Sequence, residues 1–398
     1  MSKRQISIKK AISLILITNL ITASILIFVP IPFIGGKKIV SKQEYDFVKQ
    51  FGKMMSIKSI LEQRYVDKID ENKLVEGAVK GMVDGIGDPY TVFMNKKEFE
   101  DLLTHTQGSY AGVGLYVGNK DGKIVVVAPI EDTPAYKAGI LSGDIIIKVN
   151  DQEVSGNELE KATSMIKGPE GTKVKLTIYR EGKGTIDFEL TRAKIIIKSV
   201  KSDVIENNIG YIRITTFDEN TSEAFNNALD KLLNQEIKGL IIDLRGNPGG
   251  LLDQCTKIAD RILGEGTIVY TIDNQGKREE WKSDSNKLNV PLVLLVDGGS
   301  ASASEILTGA VRDFKAGVII GTRTFGKGLV QDIIPLPNNE GLKVTIARYY
   351  TPSGECIQGK GIEPHIVLDL PEKDKERELS YKEDIQIQKA IEVLRSKQ

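Results

Sequence analysis

Ser302 and Lys327 are the residues with which this 398-residue chain could make and break an acyl bond. Ser302 lies in GSASASE, after an apolar run from Pro291 to Val296 that reads as a buried strand. Asp297, Gly298 and Gly299 break that run. From Ser302 onward the pattern turns helical, with Ile306, Leu307, Ala310 and Val311 on one side. Lys327 follows a second apolar run, Val318 to Ile320, in the glycine-flanked stretch FGKG. A serine hydroxyl is a weak nucleophile until a neighbouring base takes its proton. Histidine is the usual base, but the chain carries only His105 and His365. His105 reads as part of a polar linker, and His365, in GIEPHIVL, as a strand-entry residue. A lysine whose pKa is lowered by burial is the remaining base, which gives a Ser-Lys pair.

Spacing alone leaves other readings open. Ser302 and Glu305 also have the spacing of a capping box, in which side chains satisfy the first amides of a helix. Ser300 and Ser304 are equally placed hydroxyls, and Lys327 could be a plain turn residue. Gly321 to Gly328 falls one residue short of the phosphate-binding pattern G-x-x-x-x-G-K-[ST]. Gly328 has no hydroxyl for a magnesium ion, and GLVQDIIPLP reads as a strand where that pattern would open a helix. Nucleotide binding is therefore not expected.

GSASASE followed about twenty-five residues later by RTFGKGLVQ resembles the C-terminal processing peptidases, also called tail-specific proteases. The resemblance implies that Ser302 is the nucleophile, Lys327 the general base and Gln331 a support for the lysine. Asp313 matches a position implicated in some members. The loop RGNPGG, between the strand-like KGLIIDLR and the helix-like LLDQCTKIADRIL, would expose backbone N–H groups at a helix start. In acyl transfer such donors stabilise the tetrahedral oxyanion. The resemblance assigns this role to Gly249 together with the amide of Ala303, with Gly250 as the neighbour that could serve instead; a helix-entry turn is the plainer reading. For Lys327 to act near neutral pH its pKa must come down by about 3 from the ordinary lysine value. Phe325, Leu329 and Val330 are the adjacent residues expected to bury it. The runs YYTPSG and IQGKGIEP and the segment DPYT also match the family, and the resemblance extends over about residues 40 to 396.

The elements that must position these residues form an α/β multidomain chain. Residues 30–107 read as a helical N-terminal region, with helices over 40–64 and 71–86 closed by GIGDPYTVFM. Residues 108–192 form a β-rich run with one helix and resemble a PDZ domain. There Gly112, Val113, Gly114 and Leu115 occupy the carboxylate-binding loop, where glycines let successive N–H groups face an anion. A peptide would add as a strand at the sheet edge. Leu159, Ala162 and Met165, on the helix from Asn157 to Lys167, would line its side-chain pocket. Residues 193–372 alternate strand and helix as an α/β serine peptidase core. Residues 373–398 read as a charged linker and an amphipathic helix.

Lys+Arg and Asp+Glu both number 54, so no charge imbalance points to nucleic acid. Residues 1–10 are basic, and the apolar run Ala11 to Val29 is long enough, at about 28 Å, to span a hydrocarbon core. A single-pass transmembrane anchor at residues 11–29 is expected, with a cytoplasmic N-terminus and the catalytic part on the outer side. A cleaved signal peptide is the rival, disfavoured by the length of the run and the lack of an A-x-A site. Cys255 and Cys356 could form a disulfide or remain free thiols. No CxxC or histidine cluster calls for a metal, and no cofactor is expected. The expected partners are protein or peptide substrates with exposed C-termini, the membrane, and, through the terminal helices, a homo-oligomer. The competing function is a catalytically inactive PDZ-type binding or scaffold protein at the membrane.

Overall fold

The computed structural model describes residues 13, 16–20, 41–374 and 379–397, without the side chains of residues 44, 47, 48 and 207. The chain forms two compact units, residues 1–77 and 78–398. Helix α1 (Lys42–Arg64) lies in the first, and α2 (Glu71–Asp84) begins there. Most of the expected anchor, residues 11–29, lies outside the described residues. Among the described residues no helix is long and apolar enough to cross a membrane.

In the second unit, GIGDPYTVFM does more than close a helical region. Val92–Met94 forms strand β1, and α3 (Lys96–Gln107) follows it. Asn95 caps α3 reciprocally with Glu98, and Gly108 ends it in the left-handed conformation with φ 59°. His105 therefore sits on a helix rather than in a linker. The chain then enters the PDZ domain through β2 (Ser109–Gly112), followed by β3 (Leu115–Lys120), β4 (Lys123–Pro129), α4 (Pro134–Lys137), β5 (Ile145–Val149), β6 (Gln152–Glu153), α5 (Leu159–Ile166), β7 (Lys173–Arg180) and β8 (Gly184–Thr191). The sheet runs β3-β4-β5-β7-β8, with β6 on β5. Alternating residues of β4 and β7, such as Ile124, Val126, Leu176 and Ile178, fill its core. The chain leaves by β9 (Ala193–Ile196), which pairs antiparallel with β2.

The α/β core holds β10 (Val200–Ile205), β11 (Ile209–Ile214), α6 (Thr221–Leu233), β12 (Gly239–Asp243), α7 (Leu252–Ile262), β13 (Gly266–Asp273), β14 (Arg278–Ser283), β15 (Leu292–Val296), α8 (Ala303–Asp313), β16 (Gly317–Gly321), β17 (Leu329–Leu336), β18 (Glu340–Tyr350), β19 (Ile366–Val367) and α9 (Ile385–Arg395). Its main sheet has the order β10-β11-β12-β15-β16-β19, with every pair after β10–β11 parallel. GLIID and LVLLV are buried along their whole length, as strands covered on both faces must be. Helices α6, α7 and α8 cover one face. The other is covered by α9, whose Ile387, Ala390, Ile391 and Leu394 pack on Ile241, Val293, Leu295 and Ile320. The C-terminal helix is thus a layer of the core and not an appendage. A second sheet runs β1-β18-β13-β14, with β17 on β18. Its first strand, β1, places Val92 opposite Lys343 and so delivers the DPYT stretch to the core.

Candidate active site

Three loops leave the carboxyl ends of the neighbouring parallel strands β12, β15 and β16, where open α/β sheets bind ligands. The β12 loop carries RGNPGG, the β15 loop carries Ser302, and the β16 loop carries Lys327. A buried network anchors the first. Arg245 bonds both oxygens of Asp243 (2.9 and 2.6 Å), Tyr211 donates to Asp243 at 2.6 Å, and Arg245 also reaches Asp384 and Gln386 at the start of α9. With every partner satisfied, such a network fixes a loop despite its buried charge.

Asn247 then staples this loop to the serine loop. Its carbonyl accepts from Ala301 N at 3.0 Å and from Ser304 Oγ at 3.0 Å, and its side chain donates to Ile214 O at 2.9 Å. The Ser300 hydroxyl is likewise committed, donating to Leu244 O at 2.8 Å. Ser300 and Ser304 are fully buried while Ser302 is half-exposed, so the structure separates three serines that spacing left equivalent. Ser302 also has φ 55° and ψ −114°, a conformation that costs about 1–3 kcal/mol for a residue with a Cβ and is held by its surroundings. Tyr349, buried, donates its hydroxyl to Ser302 O at 3.2 Å.

Glu305 joins the serine and lysine loops. It is 0% exposed. Its Oε2 accepts from Ser302 N at 3.0 Å and from Lys327 N at 2.8 Å; its Oε1 accepts from Thr324 Oγ1 at 2.5 Å and Gly326 N at 2.7 Å. The amides of Ser302 and Lys327 therefore share one acceptor atom. The capping box is present, but its carboxylate also reaches across to a second loop, which the box alone does not foretell.

Lys327 is half-buried. Burial pushes its pKa below the ordinary lysine value, and the charge of Lys343 adds to this, while Asp88 and Glu305 oppose it. Of the neighbours expected to bury Lys327, Phe325 is 58% exposed and Leu329 and Val330 are half-buried. The Tyr90 ring lies 4.9 Å from Nζ. Gln331 donates Nε2 to Thr345 Oγ1 at 3.5 Å, and that is its hydrogen-bond partner among the described residues.

Gly249 lies against the serine: a Cβ there would stand 2.8 Å from Ser302 Cβ and 2.9 Å from Ala303 N. Its own amide donates to Asn247 Oδ1 at 2.8 Å. Phe217 N and O pair with Gly249 O and Leu251 N across a parallel bridge, which turns the Gly250 amide away from Phe217. Ala303 is the first residue of α8, where an amide has no partner within its own helix.

Asp313 stands at the far end of α8, about 16 Å along the axis from Ser302. Burial would raise its pKa, but Arg312 Nε at 2.8 Å and Ser353 N at 2.9 Å hold it low. It serves the loop at Ser353, away from Ser302. His365 accepts from Ile319 N at 3.0 Å, a strand-entry role. Both cysteines are free thiols. Cys255 is buried behind the serine loop, donating to Ala303 O at 3.0 Å. Among the described residues no cluster could hold a metal.

In the PDZ domain a cavity of about 260 Å³ opens beside Val113, Gly114 and Leu115. Gly114, with φ 79°, is pressed against Thr133, and a Cβ would come within 2.3 Å of it. The helix contributes Thr163, Ile166 and Lys167 to the cavity. Leu159, Ala162 and Met165, expected to line it, pack into the domain core. They occupy the helix face nearest the sheet, and the groove takes the next face round. Asp101, Thr104 and His105 of α3 complete the opposite wall.

The model of peptidase family S41 matches residues 208–368, a PDZ-domain model matches 125–180, and that of the activating protease CtpB N-terminal domain matches 35–98. The carboxy-terminal-processing protease of Bartonella bacilliformis is 41% identical over 350 residues, 85% of this chain and 80% of its own. Carboxy-terminal processing protease CtpA of Bacillus subtilis is 36% identical over 373 residues, 93% of this chain and 78% of its own. The solved photosystem II D1 C-terminal processing protease is 31% identical, covers 83% of this chain and 94% of that one, and has a TM-score of 0.48.

Proposed function

The chain belongs to peptidase family S41, the carboxy-terminal processing serine proteases, and from that premise we propose that Ser302 and Lys327 are its nucleophile and base. The observation that carries the reading is Glu305, whose single oxygen Oε2 binds the amides of both residues and so registers the two loops. Ser302 Oγ attacks the scissile carbonyl carbon as its proton passes to the neutral Nζ of Lys327. The ammonium returns that proton to the leaving amine, and water repeats the sequence on the acyl-enzyme. The depressed pKa of Lys327 supports this, since the amine must be neutral before attack. Gln331 acts at one remove, through Thr345. The Ala303 amide is one oxyanion donor. Gly249 packs against it, and because its own amide is engaged by Asn247, Gly250 is the better second donor.

The PDZ domain captures the substrate C-terminus at Gly112–Leu115, with its last side chain in the cavity of Val113, Leu115 and Ile166. Residues 11–29 anchor the protein in a membrane with the peptidase on the outer side, a reading supported by the length of the apolar run and its basic flank. The full chain in detergent, incubated with an unfolded protein ending in apolar residues, is expected to cut it. Ser302→Ala and Lys327→Ala, folded as judged by melting, should each abolish cleavage. A parent that binds the terminal peptide but never cuts would instead support a binding protein.

A further inference from the structure

In sequence, Asp88 to Thr91 is a turn; in the structure it wraps the lysine. Tyr90 lies over Lys327 Nζ at 4.9 Å from the ring centroid. Asp88 is fastened in place. Its Oδ2 accepts from Thr91 Oγ1 and Thr345 Oγ1, both at 2.6 Å, and its Oδ1 accepts from Tyr90 N at 3.1 Å. Thr345 gives its amide to Thr91 Oγ1 at 3.1 Å and receives Gln331 Nε2 at 3.5 Å. A continuous chain, Gln331–Thr345–Asp88, thus runs from β17, the strand after the lysine loop, to the turn that covers the lysine. Pairing of β1 with β18 holds the turn there.

The geometry points to Asp88 as a positioning residue of the reaction: tied through Thr345 to Gln331 and carrying Tyr90 over the amine, it fixes where Lys327 Nζ sits and how firmly it keeps a proton. The inference rests on Lys327 being the base. Four groups face that amine, Asp88 and Tyr90 from the turn, Lys343 from β18 and Glu305 from α8. Burial raises the Asp88 pKa, but the Thr345 and Thr91 hydroxyls and the Tyr90 amide outweigh it and hold the carboxyl below its ordinary range. Asp88 is therefore an anion at neutral pH and counters the repulsion from Lys343. The balance suits a group that must take a proton from serine and then surrender it to the leaving amine.

The test is the pH dependence of kcat/KM for the full chain and for Asp88→Asn, which keeps the side-chain size and an acceptor but removes the charge. The acid limb should move to lower pH. One pH unit below the parent's midpoint, the fraction of plateau activity should rise roughly threefold. Acetic anhydride labelling of Lys327, followed by mass spectrometry across pH in a Ser302→Ala background, should move the same way without needing catalysis. Superimposable profiles in both assays overturn the inference. Activity that survives Lys327→Ala sinks the dyad instead, while the labelling still reports on Asp88. Should Asp88→Asn fail to fold, Thr345→Val decides. It should lower kcat about tenfold with KM and terminal-peptide binding unchanged; an unchanged kcat overturns the inference.

Discussion

Glu305→Gln is the perturbation that bears hardest on how the two loops are held. The carboxylate accepts two hydrogen bonds on each oxygen, from Ser302 N, Lys327 N, Gly326 N and Thr324 Oγ1. Glutamine keeps one accepting oxygen and turns the other into a donor. Thr324 Oγ1 already accepts from Ile362 N at 2.7 Å, so it offers the new amide little relief. At least one buried backbone N–H then faces another donor, and the surviving bonds lose their charge assistance. Together these cost about 3–5 kcal/mol. For a unit of this size, residues 78–398, that lowers Tm by about 4–8 °C. Loosening the register between Ser302 and Lys327 should also lower kcat by about 10²-fold, because a displacement near 1 Å has effects of that order. Calorimetry, peptide cleavage and terminal-peptide binding to the PDZ domain read the three quantities, and binding should not change. A variant that melts within about 2 °C of the parent and keeps more than about a third of kcat/KM would show that Glu305 does not register the two loops.

Gly249→Ala would drive a Cβ to 2.7 Å from Ala301 O and 2.8 Å from Ser302 Cβ at φ 100°. It should abolish cleavage while terminal-peptide binding survives, and an active variant would mean the loop does not press on the serine. Lys327→Met tests the buried amine through stability. Its folded-state pKa lies below the unfolded value of 10.5, so folding disfavours the proton. That cost is full below the folded-state pKa and fades as pH rises through the interval to 10.5. Melts in a Ser302→Ala background should show the methionine variant gaining stability at pH 7 and losing that advantage near pH 10.5. A gain independent of pH would assign it to packing.

Much of the site was legible because its parts are local. GSASASE, FGKG and RGNPGG each sit at the end of an apolar run, and parallel strands buried on both faces bring such ends side by side. The strands themselves were readable for the same reason, since GLIID and LVLLV admit no polar face. What escaped the sequence was contact at long range. Nothing in DPYT indicates that Asp88 meets Thr345, 257 residues on, because β1 is three residues long and carries no periodic signal. Glu305 was visible only as a cap, since a cap needs one helix and its second role needs the loop from β16. Leu159, Ala162 and Met165 face the core and not the groove, and helical spacing identifies an apolar face without saying which neighbour it meets. Asp313 matched a family position, yet eleven residues of helix carry it away from Ser302. His105 looks like linker in the sequence because α3 is short and charged.

In the proposed mechanism one serine, activated by one lysine, attacks the substrate. A fluorophosphonate probe tests it directly, with the site of phosphonylation located by peptide mapping of the full chain. Modification of Ser302 alone, lost in Lys327→Ala and slowed on the acid side of the pH profile, is the predicted result. Modification at Ser300 or Ser304, or labelling of Ser302 at an unchanged rate in Lys327→Ala, would contradict it.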